Sequence, residues 1–581
     1  MTQYIETMTA KRDVARVLSD IAFFLRLNGG NPYKSLAYER AARALLLSPH
    51  EPHQLIQDDR LTDITGIGPG TAAVIRELLS TGNSNLYQRV KGSYPPSLVE
   101  LGRVPGLRPK QIRRLYEQGG IRSVAELQTA CRNNRLVSLK GIGPKLQAKL
   151  QSALGEFRRG QGYRLFASVL EEASMVEHYL GAIRGVQQVS MAGALRRKME
   201  VINALHFVIA WPEDRETAAF MKALPTIPNV TDASIIDEKR VTAISPTGLP
   251  LTLVLAQPSD HDFHLLLETG SHEHLEQLLK RFLIQGLHTW EDIHTRTRGL
   301  NEEAIYRAVG LPFVPPTLRE GQGELDFTDT DFQRLIDPGQ IQGCFHVHTN
   351  YSDGSGTVEE MVVAARARGY HYLGISDHSQ SAFYANGLKE ARIRQQWREI
   401  ETVQAKYPDI HIFKGIEADI LPDGTMDYAD ELLSEFDFVI ASVHSRFNLS
   451  EADQTRRVCR ALANPYVTML GHPTGRLLLS RPGYRVNMAQ AIDAAKVYGK
   501  VLEINGSRHR LDLDWREVRS AKMQGLKFSL NPDAHALDEF SNVALAVNVA
   551  QKGGLLPEDI VNTRSLPAMK AFLQKPASRA A

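Results

Sequence analysis

Short apolar runs, the pattern of buried β-strands, recur through the C-terminal half of the chain, and each ends at a histidine or a carboxylate residue. The first run leads into residues 344–354, which read CFHVHTNYSDG. Side chains alternate along a strand, so His346 and His348 point to the same side and can bind one metal ion. A barrel builds a metal site at one mouth from ligands at the ends of several strands. The pattern therefore predicts a metallohydrolase.

The later runs complete a set of candidate metal ligands. A lone histidine at a strand end is more often a packed core residue or a surface residue than a ligand. Nine groups of ligand type in one half of the chain argue for a metal site instead. The nine candidates are His346, His348, Asp353, His378, Glu417, His444, His472, Asp533 and His535.

Helix-like patterns dominate the first 160 residues, and three glycine-rich segments interrupt them. These segments are residues 64–70 (ITGIGPG), 104–110 (VPGLRPK) and 139–145 (LKGIGPK). Such a turn exposes backbone N–H groups at a helix N-terminus, where they suit a phosphate oxygen without reading base identity. Glycine is needed because the turn requires positive φ and a close backbone approach. The middle segment has Arg108 where a second glycine is usual.

The charge distribution supports contact with a polyanion. The net charge of the chain is +2, but residues 1–160 hold 24 Lys and Arg against 13 Asp and Glu, a net charge of +11. A basic face that contacts only solvent would give the same count, so the charge supports binding of a polyanion only in combination with the glycine-rich turns. The predicted DNA contacts are Lys34, Gly66, Gly68, Gly106, Lys110, Gly141, Gly143 and Lys145.

Length and cysteine content bound the class of protein. A chain of 581 residues should form several domains, because single cores stop growing near ~250–300 residues. The three cysteines are widely spaced, which fits a reducing cytosol without a disulfide framework. No apolar run approaches ~18 residues, so neither a signal peptide nor a membrane span is expected. We expect a cytoplasmic, nucleoid-associated monomer.

Several segments, in a fixed order, resemble one family. Residues 31–43 (NPYKSLAYERAAR) together with the hairpins resemble the N-terminal domain of family X DNA polymerases. Residues 193–197 (GALRR) are similar to the segment that begins its palm, residues 269–274 (TGSHEH) to the start of its thumb, and residues 311–316 (LPFVPP) to its closing segment. The metal-rich half resembles the PHP (polymerase and histidinol phosphatase) domain. The resemblance covers residues 8–575.

The resemblance implies a multidomain fold with three kinds of structure. These are α-helical helix-hairpin-helix domains, a mixed α/β nucleotidyltransferase-like palm and a C-terminal distorted (β/α)7 PHP barrel. The expected divisions are a first hairpin domain over 1–90, a second over 91–158, a palm over 159–256, a thumb over 257–320, a linker over 321–340 and the barrel over 341–581.

The PHP pattern also implies how the nine ligands divide among up to three ions. The groups are His346, His348, Glu417 and Asp533 for one ion; Glu417, shared with His444 and His472, for a second; and Asp353, His378 and His535 for a third. A mixed imidazole and carboxylate shell suits Mn²⁺ or Zn²⁺ better than Mg²⁺. Glu417 and Asp533 would be the catalytic carboxylates. Arg446 and Arg476 are candidate phosphate clamps, although a surface ion pair explains each equally well.

The palm lacks the carboxylates that the resemblance requires. Nucleotidyl transfer uses two metal ions about 3.5–4 Å apart, held by aspartates on adjacent strands. The two positions on the first strand are Ala204 and His206, and the third is Thr252. The nearest Asp-x-Asp segment, residues 260–262, follows a proline and a serine and is expected to lie at a helix N-cap. We therefore expect no polymerase activity.

The combined pattern favours a DNA-repair-type, metal-dependent 3′–5′ exonuclease that acts on gapped or 3′-ended DNA without sequence preference. Abasic-site endonuclease and 3′-phosphatase activities stay open as forms of the same phosphoesterase chemistry. An active gap-filling polymerase is an alternative that would need a metal site elsewhere. A small-molecule phosphatase would leave the basic hairpins unexplained, and a noncatalytic DNA scaffold would leave nine ligands without a purpose.

Overall fold

The computed structural model describes residues 2–48, 52–104, 107–139, 142–160, 162–212 and 216–574. The chain forms two units. The first comprises Met1–Gly270, Phe282–Ile305 and Leu479–Arg481, and the second comprises Ser271–Arg281, Tyr306–Leu478 and Pro482–Ala581. Within the described ranges, none of the helices combines the length and the apolar character needed to span a bilayer.

The first unit begins with an all-helical part. Apolar positions three apart, such as Leu18, Ile21 and Phe24, place one face of the first helix in its core. The helices are α1 Thr2–Leu27, α2 Pro32–Leu47, α3 Pro52–Gln57, α4 Pro69–Thr81, α5 Asn85–Lys91, α6 Leu98–Leu101, α7 Pro109–Gly119, α8 Val124–Arg132 and α9 Pro144–Gly160.

A mixed α/β part follows in the same unit. Its elements are β1 Arg164–Leu165, α10 Phe166–Ala182, β2 Gln188–Ala192, α11 Gly193–Arg196, β3 Val201–Ile202, β4 Leu205–Ala210, α12 Thr217–Ala223, β5 Thr231–Asp237, β6 Arg240–Ile244 and β7 Pro250–Ala256. Five strands form a sheet with the order β2-β4-β7-β6-β5, in which only β4 and β7 are parallel neighbours, and β1 and β3 form a separate antiparallel pair.

Short helices follow this sheet. They are α13 His261–Thr269, α14 His272–Leu283, α15 Trp290–Thr297, α16 Glu302–Arg307 and α17 Asp329–Gln333. Asp260 occupies the N-cap position of α13, as expected, but its side chain makes no capping bond. Its carboxylate pairs with His294 and Arg298 at 3.2 and 3.3 Å.

The second unit contains a parallel, seven-stranded sheet that curls into a nearly closed barrel. The strands are β8 Gly343–Val347, β9 Tyr372–Ile375, β10 His411–Asp419, β11 Phe438–Ser442, β12 Met469–Leu470, β13 Val501–Asn505 and β14 Phe528–Asn531. Their order, β14-β13-β12-β11-β10-β9-β8, is sequential, and a parallel bridge between Val347 and Ala534 brings the first and last strands together.

Helices connect successive barrel strands, as parallel pairing requires. They are α18 Val358–Arg366, α19 Glu390–Lys406, α20 Asp430–Glu435, α21 Glu451–Leu462, α22 Met488–Val497, α23 Trp515–Met523, α24 Asn542–Lys552 and α25 Leu566–Leu573. The predicted fold class is confirmed: helical hairpins, a mixed α/β part and a (β/α)7 barrel. The domain boundaries drawn from the sequence stay predictions.

Candidate metal centre and nucleic-acid interface

The candidate ligands gather at the carboxyl ends of the barrel strands. His346 lies in β8 and His348 just after it, Glu417 lies near the end of β10, and His444 and His472 each lie two residues beyond β11 and β12. Parallel strands share one direction, so their carboxyl ends meet at one mouth of the barrel. The side chains of seven of the nine predicted ligands are buried or nearly so, whereas Asp353 and His535 are partly exposed, at 35% and 33%.

The candidate ligand atoms form four overlapping groups, and within each group all the atoms lie within 4.8 Å of one another. They are His348, Asp353, His378 and His535; His346, Glu417 and His472; His346, His348 and Asp533; and His378, Glu417 and His444. All nine predicted ligands therefore converge. These groups do not coincide with the predicted sets of ligands for three ions, because His348 lies close to members of both the first and the third set. The division among three ions stays a prediction.

Glu417 occupies the middle of this cluster. Its Oε1 atom lies 2.9 Å from Nε2 of His472 and 3.2 Å from Nε2 of both His346 and His444. Its Oε2 atom lies 2.8 Å from Nδ1 of His378. One carboxylate thus faces four imidazoles, which is the arrangement expected of a ligand shared between cations.

The donor set fits a metal cluster. The Nε2 atoms of His346 and His348 are buried and have no hydrogen-bond partner among the described residues. The nearest Asp533 oxygen lies 3.5 and 3.4 Å from these two atoms. Buried polar atoms without partners are costly. A cation between the imidazoles and the carboxylate would satisfy all of them, and imidazole with carboxylate oxygen suits Mn²⁺ or Zn²⁺.

The carboxylates of the cluster are ionised. Burial alone would raise the pKa of Glu417, but the adjacent His444 and His346 hold it well below its usual value. Burial likewise opposes ionisation of Asp353, yet its hydrogen bond with His535 and neighbouring imidazoles lower its pKa to about 2. The cluster therefore offers ionised carboxylate oxygens at neutral pH, which is the form that binds a metal ion.

The histidines of the cluster divide into two kinds. Burial, reinforced by the nearby His535 and His378, lowers the pKa of His348 to about 3, so its imidazole is neutral and ready to bind a metal. Burial also lowers the pKa of His444, but Glu417 and other carboxylates overcome this and raise it to about 9. In the metal-free protein, His444 holds a proton that a metal ion must displace.

Carboxylates outside the predicted set orient the histidines. Glu503 accepts a hydrogen bond from His346 Nδ1 at 2.5 Å, and its second oxygen accepts one from the backbone N–H of His472 at 2.6 Å. Asp419 contacts Nδ1 of His444 at 2.6 Å. Such partners fix the ring and leave Nε2 free for a metal. Sequence reasoning missed both, although Glu503 is an acid in the mainly apolar strand β13 and Asp419 is the last residue of β10.

The backbone also marks this site. His346, His472 and Asp533 have positive φ values of 59°, 25° and 52°. Non-glycine residues rarely adopt such values, and each costs on the order of 1–3 kcal/mol. Strain of this kind concentrates at functional sites, where the surrounding structure imposes it.

The two candidate phosphate clamps differ in their surroundings. Arg476 donates to the backbone oxygens of Arg510 and Leu511 and pairs with Asp514, so it anchors a loop and is not free to clamp a phosphate. Arg446 is exposed, with a φ of 55°, directly beyond the β11 histidine. Arg510 was missed: its Nε atom lies 3.2 Å from Asp533 Oδ2, which places a cation beside the ligands.

The three palm positions lie on or directly beside two neighbouring strands. His206 in β4 pairs in register with Thr252 in β7, and Ala204 directly precedes β4. His206 lies 3.7 Å from Glu268, which in turn pairs with Arg240 at 2.6 Å. An ion-pair network therefore occupies this face of the sheet. Within the described residues, groups of three or more metal-ligating side chains occur in the barrel and not in the palm.

The three glycine-rich segments share one geometry. In each, an apolar residue donates its backbone N–H to the carbonyl oxygen three residues earlier, and a helix begins with proline two residues later. The donor and acceptor pairs are Ile67 to Ile64 at 3.0 Å, Leu107 to Val104 at 3.2 Å and Ile142 to Leu139 at 2.9 Å, and the prolines are Pro69, Pro109 and Pro144. Three copies in one register form repeated hairpin turns.

The glycine positions are not equivalent. Gly66 has a φ of 99°, and a Cβ there would lie 3.3 Å from the Cβ of Ala44, so glycine is required. Gly68 has a φ of −91°, and its counterpart Arg108 has a φ of −79°. Any residue adopts that conformation, which explains why arginine is accepted in the second hairpin. Lys34 and Lys110 are exposed at the first turns of α2 and α7.

Three of the predicted DNA contacts lie wholly or partly outside the described residues. Gly106 and Gly141 lie outside the described residues, as does the side chain of Lys145. Gly143 is described, and it is exposed directly before α9, with open space where a Cβ would stand. The DNA contacts therefore stay predictions, supported by the geometry of the turns that surround them.

Comparison with known protein families agrees with this division. A PHP domain model matches residues 345–507, a helix-hairpin-helix domain model matches residues 9–84, and a model of the SAM-like helix-hairpin-helix tandem matches residues 98–156. The fold and the site thus define a helix-hairpin-helix chain that carries a PHP metal-dependent phosphoesterase domain.

Known relatives make the family specific. The chain is 35% identical, over 97% of its length and 99% of the relative, to the DNA polymerase/3′–5′ exonuclease PolX of Bacillus subtilis. It belongs to this family, the family X DNA polymerases with a PHP domain. Probable phosphatases of Caldanaerobacter subterraneus and Vibrio parahaemolyticus are 28% and 26% identical, each over about two fifths of this chain and 91–92% of the relative.

Proposed function

We propose that this protein is a DNA-repair-type 3′–5′ exonuclease that works through the PHP metal centre, while its polymerase-like body binds DNA without extending it. It would act on gapped or 3′-ended DNA of any sequence, as a monomer in the cytoplasm associated with the nucleoid. One observation carries the proposal. Nine ligand side chains converge in the barrel, whereas the palm has Ala204, His206 and Thr252 where three carboxylates are needed.

The chemistry follows from the charges of the site. Bound Mn²⁺ or Zn²⁺ would act as a Lewis acid on the phosphodiester and would lower the pKa of a bound water molecule toward neutrality. Glu417 and Asp533 stay ionised and supply the negative oxygens that hold such cations. Glu503 and Asp419 hold two imidazoles with Nε2 facing inward. Arg510, beside Asp533, offers the cationic group that a phosphate oxygen would meet.

Loss of polymerase activity follows from the palm. Mg²⁺ prefers carboxylate and phosphate oxygens, and neither alanine nor threonine supplies an anionic ligand. His206 is paired with Glu268, and Arg240 neutralises that carboxylate. The relative from Bacillus subtilis is named for both polymerase and exonuclease activities. We propose that only the second is retained in this chain, because fold and activity separate when the site is lost.

Degradation of a 5′-labelled strand in Mn²⁺ tests the nuclease. An exonuclease gives a ladder of progressively shorter products, an abasic-site endonuclease cuts once at an internal abasic residue, and a 3′-phosphatase removes only a terminal phosphate. We expect the ladder from the wild type and its loss, by at least 100-fold, in His346→Ala. His371→Ala is the matched control. His371 is exposed and directly precedes β9, so it lies at the end of that strand opposite the metal centre. Equal activity in both variants would exclude the barrel as the nuclease.

A small-molecule phosphatase is the second candidate, favoured by the relatives that are named probable phosphatases and match only the barrel. The comparison is kcat/KM on histidinol phosphate against kcat/KM on a DNA strand end. The nuclease proposal requires DNA to be preferred by at least 100-fold, because the basic hairpins add affinity only for a polyanion. Preference for the small ester would favour the phosphatase.

A further inference from the structure

Two aromatic side chains beside the metal centre are exposed to solvent. Phe383 is 85% exposed and Tyr384 is 71% exposed. The ring of Tyr384 lies 6.2 Å from the ring of His378 and 6.4 Å from the ring of His444, centroid to centroid. Single exposed apolar residues are common on protein surfaces. Tyr384 borders two candidate ligands and Phe383 directly precedes it in the chain, and together they are called the aromatic pair.

The backbone on both sides of the aromatic pair is packed. Ala382 and Ala385, which flank the pair, are buried. The backbone N–H of Gly387 donates to the oxygen of Ala382 at 3.1 Å. A Cβ on Gly387 would lie 1.9 Å from the backbone oxygen of Ser379, so the loop closes on itself only with glycine there. The short 3₁₀ turn that carries the pair is therefore held between buried positions.

Polar bonds attach the same loop to the barrel. The backbone N–H of Ser381 donates to the Asp427 carboxylate at 2.7 Å, and the Gln380 side chain donates to the Asp427 backbone oxygen at 2.9 Å. The N–H of Leu388 donates to the oxygen of the ligand His378 at 2.8 Å. The loop is thus fixed relative to the ligands. Binding to the aromatic pair therefore costs little conformational entropy, because the loop is already ordered.

We propose that Phe383 and Tyr384 form an aromatic platform that stacks on a nucleobase of the strand whose phosphodiester lies at the metal centre. The inference rests on the proposed nuclease function and deepens it by naming what the site recognises. Every base has a π-face, so stacking adds affinity without reading sequence. Phosphate esters that lack a base gain nothing from the platform. The barrel therefore selects nucleic acid at its own mouth, in addition to the hairpins.

The test compares two strand ends. One oligonucleotide ends in normal nucleotides, and the other has abasic tetrahydrofuran residues at its last two positions. In the double variant Phe383→Ala/Tyr384→Ala, kcat/KM on the normal end should fall about 10- to 100-fold, the range of base stacking on aromatic residues. Cleavage of the abasic end should stay unchanged, and Tyr384→Phe, which keeps the ring, should behave as the wild type. Tyr498→Ala, at an exposed aromatic residue at the end of α22, is the control.

A second readout does not depend on cleavage. With 2-aminopurine as the last base and divalent ions removed by EDTA, binding to the wild type should quench the base fluorescence, and the double variant should lose most of that quenching. Quenching that is absent, or equal in the two proteins, overturns the platform even if DNA is degraded. Equal losses of cleavage on normal and abasic ends overturn it as well. Quenching that depends on the pair without any cleavage would uphold the platform and reject the nuclease.

Discussion

At the scale of single residues, Glu503 connects two ligands of the metal centre. It accepts hydrogen bonds from the His346 ring and from the His472 backbone, and Asn531 donates to it at 2.8 Å. In Glu503→Gln, the amide nitrogen must face one of these donors, and the carboxylate that holds His346 is lost. We expect Mn²⁺ affinity, measured by calorimetry, to fall about 10- to 100-fold.

Glu431→Gln is the matched control for this change, because Glu431 is exposed in α20. Its Mn²⁺ affinity should equal that of the wild type. Unchanged affinity in Glu503→Gln would mean that the buried carboxylate only packs the barrel core and does not orient the histidines.

Protons compete with metal ions at two of the ligands. Burial lowers the pKa of both His444 and His535, but Glu417 and Asp419 around the first, and Asp353 beside the second, raise each pKa to about 9. Below that pH the metal-free imidazoles are protonated, so a metal ion must displace protons. Affinity should therefore rise from pH 7 to 9 and level off above it. Calorimetry in two buffers of different ionisation enthalpy should record proton release; a constant affinity over this range would contradict it.

Sequence reasoning singled out nine candidate ligands, which converge in the barrel, and missed the residues that support them. A histidine at the end of an apolar run, such as His444, is visible because the run fixes its place on a strand. Glu503 is visible only as an acid within an apolar strand, and nothing in the sequence says which histidine it meets. For Arg476 the sequence leaves a phosphate clamp and an ion pair equally open, because its partner Asp514 is distant in sequence. Side chains that are distant in sequence become partners across the barrel only when the sheet closes, so the sequence pattern does not predict these pairs.

At the scale of elements, the hairpin turns provide a matched pair of glycines. Gly66 has positive φ and a close neighbour, whereas Gly68 has extended backbone and open space. Gly66→Ala should destabilise the first hairpin by about 1–3 kcal/mol, since alanine disfavours that conformation. Gly68→Ala should leave it unchanged or stabilise it by up to ~1 kcal/mol. Hydrogen exchange of residues 61–81 measures both, and similar exchange in the two variants would contradict the assignment.

The elements themselves follow closely from the sequence. Short, mainly apolar segments form the barrel strands, which are two to nine residues long, and proline after a glycine-rich turn marks the helix starts at Pro69 and Pro144. Closure of the barrel through Val347 and Ala534 was not visible in the pattern alone, because it joins the first and last strands. It came from the family resemblance. The strained backbone at His346 likewise has no signature in residue type.

At the scale of the whole molecule, the basic N-terminal part should govern salt dependence. Each lysine that contacts a phosphate contributes about one unit to the slope of log affinity against log salt. Lys34→Ala and Lys110→Ala should each reduce that slope by about 1 on gapped DNA, measured by fluorescence anisotropy. Lys496→Ala, at an exposed lysine in α22 of the barrel, should leave it unchanged. Equal slopes in the wild type and the three variants would mean that the hairpin lysines do not contact DNA phosphates.

The central claim is that the barrel is a nuclease and that the palm has no polymerase activity, and one assay tests both parts. A 5′-labelled primer on a gapped template is incubated with Mn²⁺, with and without deoxynucleotides, beside His346→Ala. We predict shortening of the primer by the wild type alone and no extension by either protein. Extension that survives in His346→Ala would contradict the claim, because it would require a polymerase metal site that does not use the carboxylates absent at Ala204, His206 and Thr252.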